Sequence, residues 1–418
     1  MVSPTGHLDQ ALDELRSGAR VYLPGATGES LALREALIAD PGRAEGVEFI
    51  GCLVPGMNEF DYASLHPTTR VTTFMMAPAM RASFEAGRVA LLPLAYSQIA
   101  TYLSDHAQFD VGFFQVCPPD ADGQCSVGIA ADFPTLAWKR AHRRVALINP
   151  AMPRPPRGPS LPLDSFDLVV DAGGALSQGQ EGSPSEEAGR IADRIAGLIP
   201  DRAAIQSGIG GAPGAAIARL TQHRGLVIRS GMITDAYGAL ADAGALDPDG
   251  AHITGVAYGT AGFYEDLARR DLARFADTHT THGAASLAGV ERFVSINSAL
   301  EVDLFGQVNS EWRGERLISG VGGGPDFVRA AGRSAGGLSI IALPATAAGG
   351  KVSRIVPRLT CPTIAIGRAD IDTVVTEHGV ASLKDLSVEA RAQALIAIAE
   401  PARQTELAQA WAAMRARF

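Results

Sequence analysis

The sequence predicts an α/β protein built from two related open α/β domains with mainly parallel sheets. The first observation is a repeating unit in which a short β-branched run is followed by a Gly/Pro turn and an Ala/Leu-rich amphipathic stretch. The second is that these runs are largely apolar on both faces, as in the strands of a buried parallel sheet. The third is the length of 418 residues, which exceeds what one hydrophobic core usually organises.

Five runs in the first half carry the strand pattern. Each is rich in β-branched and other apolar residues and is bounded by turn-forming residues. They are residues 47–54, 88–94, 109–116, 145–149 and 168–171. Since they alternate with amphipathic stretches, we expect parallel strands with helical connections.

A polar, turn-rich stretch at 174–187 divides the chain. A helix is expected to begin near Ser185, because the two residues after it are acidic and carboxylates are favoured in the first turn of a helix. We therefore predict an N-terminal domain of residues 1–184 and a C-terminal domain of residues 185–418. The second domain repeats the coarse pattern of the first. Its predicted helices are 187–198, 214–220 and one from Ser387, and its predicted strands are 203–206, 225–228, 293–296, 338–343 and 363–366.

Composition and charge exclude several classes of protein. Hydrophobic residues make up 46% and charged residues 19%, the balance of a globular protein rather than a disordered or coiled-coil one. With 36 basic and 45 acidic side chains the net charge is −9, so no global field would gather nucleic acid or an anionic membrane surface. No apolar stretch reaches the ~18 residues of a membrane span, and residues 1–9 lack the pattern of a signal peptide. We expect a cytoplasmic protein with no nucleic-acid or membrane partner, whose four cysteines are reduced.

Two glycine clusters are candidates for receiving an anionic ligand. Gln206–Pro213, with the sequence QSGIGGAP, follows a predicted strand and leads into a predicted helix, so its backbone N–H groups would lie at a helix N-terminus. The second is Ser319–Phe327, with the sequence SGVGGGPDF. Neither matches the dinucleotide fingerprint in a strand-to-helix setting, and no GKS or GKT triplet is present, so NAD and P-loop nucleotide sites are not favoured. One glycine loop is most often a turn, but two in one chain favour a ligand site.

Charged residues cluster in two segments of the second half. In the apolar stretch 295–311, strand alternation would place Glu301 and Asp303 on one face. Burial of that face would perturb the pKa values of both carboxyl groups, whereas the alternative is a half-solvated edge strand. The segment Gly349–Arg358 has three basic residues after a glycine pair. These residues would either bind a phosphorylated ligand or form a solvent-exposed run of charge.

Six segments together resemble the acetyl-CoA hydrolase/transferase family, the class I CoA-transferases of the 4-hydroxybutyrate CoA-transferase type. They are Pro118–Gly128, Gln206–Pro213, Ser295–Val308, Gly322–Phe327, Lys351–Pro357 and Thr376–Ala381. The resemblance covers nearly the whole length. It implies two α/β domains with a class I CoA-transferase-like fold, and coenzyme A bound as a substrate thioester. It also implies an acyl-CoA and a small carboxylic acid as partners, and a homodimer or higher homo-oligomer.

The same resemblance implies which residues bind coenzyme A. They belong to the two glycine loops and to the basic segment: Gly208, Ile209, Gly210, Gly211, Gly322, Gly323, Gly324 and Lys351. In the family, the loop that matches Gly208–Gly211 supplies oxyanion contacts as well, and the stretch around Glu301 also lines the CoA site.

One position departs from the family pattern. Family members carry a nucleophilic glutamate in a segment His-Ser/Thr-Glu-Met-x-Ser/Thr-Asp, whereas the matching segment here is Arg229-Ser-Gly-Met-Ile-Thr-Asp235, with Gly231 at the glutamate position. In the family mechanism this carboxylate attacks the acyl-CoA carbonyl, forms a mixed anhydride and becomes a glutamyl-CoA thioester. Glycine has no side chain for this step, and removing a nucleophile costs on the order of 10⁴–10⁶ in rate. CoA transfer by the usual route is therefore not expected unless another group replaces the glutamate.

Few residues are candidates for that replacement. Glu301 is the catalytic candidate, although the family already has a glutamate there. Ser230 adjoins Gly231, but a serine needs a base, and the nearest histidines in the sequence have no fixed relation to it. His279 and His282 have a spacing that would suit metal ligands; with no third ligand in view, no metal site is expected.

Three functional classes remain open from the sequence. The first is an acyl-CoA enzyme without the covalent intermediate, either a hydrolase in which Glu301 activates water in the space at Gly231, or a lyase or decarboxylase acting on a bound acyl-CoA. The second is a true CoA-transferase with a displaced nucleophile. The third is a non-catalytic acyl-CoA-binding homologue. In each case we expect the acyl specificity to arise in the first half, near Tyr96 and the segment 75–80.

Overall fold

The computed structural model describes residues 6–179, 182 and 184–417, and the chain forms two compact units. Unit 1 consists of Met1–Gln180, Ile253–Thr281 and Ile318–Gly322. Unit 2 consists of Glu181–His252, His282–Leu317 and Gly323–Phe418. The sequence division at 184/185 lies near the first change of unit, in a polar stretch of which residues 180, 181 and 183 lie outside the described part. The two later segments of unit 1 carry no sequence signal that marks them as such.

In the described part of unit 1, the main sheet has seven strands, and all neighbouring strands are parallel. Its strand order is β4-β3-β2-β1-β5-β6-β7. The strands are β1 (Arg20–Tyr22), β2 (Glu48–Ile50), β3 (Arg70–Thr73), β4 (Val89–Leu91), β5 (Phe109–Val116), β6 (Ala141–Ile148) and β7 (Leu168–Asp171). The parallel sheet predicted for this half is therefore confirmed. Strands β1 and β3 were not predicted.

Among the described residues of unit 2, the main sheet has six strands in the order β9-β8-β10-β11-β12-β13. They are β8 (Ala204–Ser207), β9 (Val227–Ile228), β10 (Phe293–Ser298), β11 (Leu338–Ala342), β12 (Thr373–Thr376) and β13 (Gly379–Ser382). Neighbouring strands are parallel except for the hairpin of β12 and β13. Behind the sheet, apolar side chains from β11 and β12 pack with Leu395 and Trp411 in a buried core.

Helices connect the strands in both units. In chain order they are α1 (Leu8–Leu12), α2 (Leu31–Ala39), α3 (Arg81–Glu85), α4 (Tyr96–Thr101), α5 (Pro134–Trp138), α6 (Glu186–Ala196), α7 (Gly211–Ala218), α8 (Asp235–Asp242), α9 (Ala261–Arg269), α10 (Thr278–His282), α11 (Ala284–Leu287), α12 (Gly324–Arg333), α13 (Val388–Ala397) and α14 (Gln404–Arg415). The hydroxyls of Ser185 and Ser387 cap α6 and α13 by accepting from backbone N–H groups, which confirms the two predicted helix starts. None of the helices described here combines the length and apolar character needed to cross a bilayer.

The predicted strand at 363–366 was wrong. Ile364 is exposed, and the Thr363 hydroxyl accepts a hydrogen bond from Trp312 Nε1 at 2.8 Å. The segment has one isolated bridge, between Val308 and Ile366. The strand that pairs with β11 is β12 instead, whose four residues are all buried. A short apolar run therefore did not distinguish an irregular segment from a strand.

Each main sheet has one point at which the order of its strands reverses. In unit 1 the chain adds β2 to β4 on one side of β1 and β5 to β7 on the other. In unit 2 the reversal lies between β8 and β10. Ligands of open α/β sheets bind outside the carboxyl ends of the strands at such points. Gly208 follows β8, and Asn297 is the second-to-last residue of β10. The topology therefore predicts a ligand site at this edge of the unit 2 sheet.

Candidate active site

The first glycine loop joins the end of β8 to the start of α7. Gly210 has φ +141°, a conformation that side chains rarely adopt, and a Cβ there would collide with Ser298 Oγ. A Cβ on Gly208 would lie 2.7 Å from Asn297 Oδ1. Gly210 and Gly211 are exposed, and Ile209 is 57% exposed. The loop thus presents bare backbone at a helix N-terminus, where N–H groups receive anions or a developing oxyanion.

A pair of buried amide side chains joins the carboxyl ends of β8 and β10. Gln206 Nε2 lies 3.4 Å from Asn297 Oδ1, and Asn297 Nδ2 lies 3.3 Å from Gln206 Oε1. Asn297 Nδ2 also donates to Ser295 Oγ at 2.8 Å. A Cβ on Gly324 would lie 3.8 Å from Asn297 Oδ1, so this amide brings the first glycine loop and the start of α12 together. The sequence reasoning did not single out Asn297, because a lone asparagine in an apolar run gives no signal of its position.

The second glycine loop is divided between the units. In unit 1, the carbonyl oxygen of Gly322 accepts from the N–H of Tyr96 at 3.2 Å, and Gly322 has φ +67°. In unit 2, Gly323 caps α12, and Gly324 is its first residue. Of the glycines predicted to bind coenzyme A, the structure of unit 2 therefore brings Gly324 near Gly208.

The imidazole of His282 fills the space beside Gly231. A Cβ on Gly231 would lie 2.6 Å from His282 Cε1 and 2.9 Å from His282 Nε2. A Cβ on Gly323 would lie 2.7 Å from His282 Cδ2 and would collide with His282 Nε2. Real Cβ atoms essentially never come closer than 3.0 Å, so neither glycine can gain a side chain unless the ring moves. The space that the sequence analysis expected to be vacant at Gly231 is thus occupied by a histidine.

The surroundings of His282 keep its ring neutral. The side chain is 5% exposed, and its ring centroid lies 4.4 Å from that of Phe327. Burial lowers the pKa of His282 to about 3, because the apolar surroundings disfavour the charged form. His282 therefore offers a neutral imidazole at every physiological pH.

The Ser230 side chain forms hydrogen bonds with the backbone, which indicates a structural rather than a catalytic role. Its hydroxyl donates to the carbonyl oxygen of Met232 at 2.7 Å and lies 3.4 Å from that of Ser207. The Ser207 hydroxyl is in turn 3.0 Å from the hydroxyl of Tyr237. These contacts give Ser230 a structural role in the turn after β9.

The carboxylates predicted on one strand face have different environments. Glu301 and Asp303 lie in the short strand Glu301–Asp303, where Glu301 is half-buried and accepts from Asn309 Nδ2 at 2.9 Å. Asp303 is buried and accepts from the backbone N–H groups of Phe305 and Gln307 at 3.0 and 2.9 Å. Asp303 therefore holds a turn, whereas Glu301 is only half-buried.

The basic segment carries two exposed cations, Lys351 and Arg358, and one half-buried cation, Arg354. Lys351 is exposed at the turn of a hairpin, and its carbonyl oxygen accepts from Arg403 at 3.5 Å. Arg354 donates to the carbonyl oxygen of Ala299 at 3.3 Å. Burial, followed by the nearby charge of Arg313, lowers the pKa of Arg354. Contact of Lys351 with coenzyme A stays a prediction.

Unit 1 contains a buried polar cluster that the sequence reasoning found only in part. The Cys52 thiol donates to the Tyr96 hydroxyl at 3.7 Å, and the Tyr96 ring lies 5.3 Å from that of Phe133. Asp132 is 6% exposed and accepts from the N–H of Phe133 at 3.0 Å. Burial raises the pKa of Asp132 to about 7, and burial together with the charge of Asp132 raises that of Cys52 to about 12. Tyr96 was predicted to help set acyl specificity; Asp132 carried no sequence signal, since it is a single carboxylate in a loop.

The histidines considered as metal ligands lie in different environments. His279 is exposed, 3.4 Å from Ser104 Oγ, and His282 is buried against Phe327. Elsewhere in the described part of the chain, Glu377, His378 and Glu400 each bring one ligand atom within 4.8 Å of the others. The atoms His378 Nε2 and Glu400 Oε2 are 3.1 Å apart, and Glu377 Oε2 accepts from the N–H of Ala345. These contacts describe a hydrogen-bonded cluster.

Known proteins resemble the chain over nearly all of its length. The N-terminal domain of the acetyl-CoA hydrolase/transferase family matches residues 7–158, and the C-terminal domain of that family matches residues 259–411. The 4-hydroxybutyrate coenzyme A transferase of Clostridium kluyveri is 32% identical over 401 residues, 94% of each chain.

Two solved structures share the fold. RipA from Yersinia pestis superposes with a TM-score of 0.91 at 27% identity and covers 98% of this chain and 97% of its own. A 4-hydroxybutyrate CoA-transferase from Porphyromonas gingivalis superposes with a TM-score of 0.82 at 27% identity and covers 99% of this chain and 97% of its own. The fold predicted from the resemblance is confirmed, and the chain belongs to the acetyl-CoA hydrolase/transferase family.

Proposed function

We propose that this protein cleaves an acyl-CoA thioester without forming a glutamyl-CoA intermediate, with water as the acceptor. Membership of the family supports an acyl-CoA substrate. The observation that carries the proposal is the pair Gly231 and His282, since the first has no side chain and the second fills the space where one would begin. A carboxylate side chain at position 231 would require the His282 ring to move.

The exposed glycine loop is our candidate for holding the thioester end of coenzyme A. The N–H of Gly208 donates to the carbonyl oxygen of Ile296 at 2.8 Å, so our candidates are the backbone N–H groups of Ile209–Gly211 at the start of α7. They suit a carbonyl oxygen that gains negative charge during attack. Gly323 and Gly324 lie at the start of α12, and Gly324 lies beside Asn297, the residue that also borders Gly208. We propose that Gly322 and Lys351 complete the CoA contacts, as the family resemblance implies.

Glu301 is our candidate for the general base. Its carboxylate is half-buried and oriented by Asn309, and it lies in the strand that follows β10. In the proposed step the water oxygen bonds to the carbonyl carbon while Glu301 takes a proton from the water. The carbon–sulfur bond then breaks, and the departing thiolate receives that proton. The products are a carboxylic acid and free CoA.

The second candidate function is transfer of CoA to a carboxylic acid by a displaced nucleophile. Similarity to the 4-hydroxybutyrate coenzyme A transferase of Clostridium kluyveri supports this alternative. On this alternative another carboxylate, with Glu301 as the first candidate, would carry the CoA thioester.

The two functions differ in their need for an acceptor. The protein is incubated with a panel of acyl-CoAs, with and without acetate or succinate, while free thiol, CO₂ and the intact mass of the chain are followed. Release of CoA that does not depend on the acceptor supports hydrolysis. Exchange that needs the acceptor, together with a mass increase from bound CoA, refutes the proposal in favour of transfer. Loss of CO₂ would assign a decarboxylase, and binding without turnover a non-catalytic protein.

The assembly state that the family resemblance implies is also a proposal. We expect a homodimer or a higher homo-oligomer. Sedimentation equilibrium should then give at least twice the chain mass of 43.5 kDa, and a monomer would contradict this expectation.

A further inference from the structure

Arg354 is a half-buried cation that makes no ion pair within the described part of the chain. Its Nη1 donates to the carbonyl oxygen of Ala299 at 3.3 Å, which uses one of the several N–H groups of a guanidinium. Glu301 and Glu377 act on its charge only from a distance, since neither is hydrogen-bonded to it among the described residues. A charge that is partly removed from water is costly unless an opposite charge meets it directly. The guanidinium of Arg354 therefore lacks a direct anionic partner.

The unused N–H groups of Arg354 are open to solvent in the described structure. The side-chain nitrogens that are both buried and without a hydrogen bond there belong to two other residues, Arg144 and His223. Nε and Nη2 of Arg354 make no hydrogen bond among the described residues, yet they do not belong to this buried set. These N–H groups are therefore available to a ligand.

A second cation, Arg313, lies near Arg354. Burial is the larger cause of the lowered pKa of Arg354, and the positive charge of Arg313 is the next. Arg313 is exposed in the two-strand hairpin of Trp312–Arg313 and Arg316–Leu317, and it too has no ion pair among the described residues. An anion that contacts both guanidinium groups would relieve their repulsion.

The position of Arg354 relative to Glu301 indicates where on the substrate this anion lies. Val302 pairs with Ile355 in two parallel strands, so the residues before them, Glu301 and Arg354, are cross-strand neighbours on one face of the pair. Glu301 is our candidate for the base that acts at the thioester. The phosphate groups of coenzyme A are separated from the thioester by the whole pantetheine arm. An anion that meets Arg354 beside Glu301 is therefore carried by the acyl group.

We propose that Arg354, together with Arg313, binds a carboxylate carried by the acyl group, so that the substrate is the CoA thioester of a dicarboxylic acid. This inference rests on the proposed function and adds the substrate class to it. A guanidinium suits a carboxylate because two parallel N–H···O bonds can form between them. The subsite belongs to unit 2 and acts in addition to the acyl specificity predicted near Tyr96.

The test compares pairs of acyl-CoAs in which the acyl chain ends either in a carboxylate or in a methyl group. The pairs are succinyl-CoA with butyryl-CoA and glutaryl-CoA with valeryl-CoA, with the uncatalysed rate subtracted. We expect the wild-type kcat/KM for CoA release to be higher for the dicarboxylic member of each pair. Arg354→Gln should lower this kcat/KM about 10- to 100-fold, as expected for loss of a hydrogen bond between charged groups. The same variant should leave the methyl-ended members within about threefold of wild type.

Two further variants separate a ligand contact from a structural role. Arg313→Gln changes an exposed side chain outside the core, so it serves where Arg354→Gln folds poorly. It should lower kcat/KM for the dicarboxylic members about 2- to 5-fold, as expected for an exposed ion pair. Arg333→Gln is the control, because it removes an exposed arginine at the last residue of α12 and should leave the preference within each pair unchanged.

Binding of free acids gives a readout without turnover. Calorimetric titration of the CoA-saturated protein should show tighter binding of succinate than of butyrate, and Arg354→Gln should abolish the difference. If that variant weakens both acids equally, Arg354 binds the product carboxylate. If it lowers kcat/KM equally for both members of every acyl-CoA pair, Arg354 binds coenzyme A itself. Either result overturns this inference.

Absence of a dicarboxylic preference in the wild type also overturns the inference, while hydrolysis as the proposed function stands. Acceptor-dependent exchange with a CoA adduct overturns the proposed function instead, and the titration with succinate and butyrate then still decides whether Arg354 binds a carboxylate.

Discussion

The contact between Gly231 and His282 predicts a stability cost for the smallest side chain at position 231. In Gly231→Ala the added methyl group would lie 2.6 Å from His282 Cε1 and 2.9 Å from Nε2, whereas ordinary contacts are 3.4–4 Å. The ring has little freedom to withdraw, since Phe327 packs against it at 4.4 Å. Overpacking of this kind costs about 1–3 kcal/mol in the free energy of unfolding.

The same change should cost almost nothing once the imidazole is removed. In a His282→Ala background the methyl group on residue 231 enters space that the ring has left. The backbone of Gly231 is outside the left-handed region, so no conformational strain accompanies the substitution. We therefore expect a coupling energy of about 1–3 kcal/mol between the two positions in a double-mutant cycle.

Urea unfolding followed by tryptophan fluorescence measures this cycle. Trp312 and Trp411 lie in unit 2 and Trp138 in unit 1, so a Trp138→Phe background restricts the signal to unit 2. Gly289→Ala is the matched control in the same unit, because a Cβ there meets no atom within 4 Å. Its effect should stay within about 0.5 kcal/mol. Equal costs of Gly231→Ala with and without His282, or a cost no larger than that of the control, would refute the reasoning.

Three further predictions concern activity and pH. Gly231→Glu alone should give no transferase, whereas Gly231→Glu with His282→Ala should give acceptor-dependent exchange and a CoA adduct by mass; exchange in the single variant would contradict this. Glu301→Gln should lower kcat for acyl-CoA hydrolysis by about 10²–10⁴-fold, and an unchanged kcat would remove Glu301 as the base. Burial raises the pKa of Asp132 from 3.8 to about 7, so the folded protein binds this proton more tightly than the unfolded chain. Its contribution to the free energy of unfolding should fall by up to about 1.4 kcal/mol per pH unit as pH rises between these values and stay level above them. Urea titrations of wild type and Asp132→Asn should differ with this slope, and a difference independent of pH would argue against it.

The sequence predicted those strands and helices whose own residues carry a clear pattern, such as an apolar run bounded by turn-forming residues. Strands β5 and β7 begin and end where the apolar runs 109–116 and 168–171 do, because each run is long enough or well enough bounded to be recognised. Strand β1 has three residues and was missed, since so short a run resembles many loops. The segment 363–366 was misassigned because its apolar composition resembles that of a strand, whereas in the structure Ile366 is buried without joining the main sheet and Ile364 is exposed.

The candidate site was predictable where one segment carries its own signal. The loop Gly208–Gly211 could be placed between a strand and a helix from its neighbours alone, and the structure has it there. The meeting of Gly231 with His282 could not be predicted, because the two residues are far apart in sequence and their contact depends on the packing of α12. The functional roles of the predicted site residues stay predictions.

Unit 1 includes two segments, Ile253–Thr281 and Ile318–Gly322, that are translated well after the rest of the unit. The backbone of Thr278 donates to the carbonyl oxygen of Asp132, Ala130 bridges to Val256, and Met76 donates to the carbonyl oxygen of Ser319. Residues up to 180 therefore emerge during translation before several of their hydrogen-bond partners exist. A nascent or truncated chain that ends near 184 would expose these polar groups and the apolar surface around them. Joint expression of both parts whenever the protein is dissected is the practical consequence.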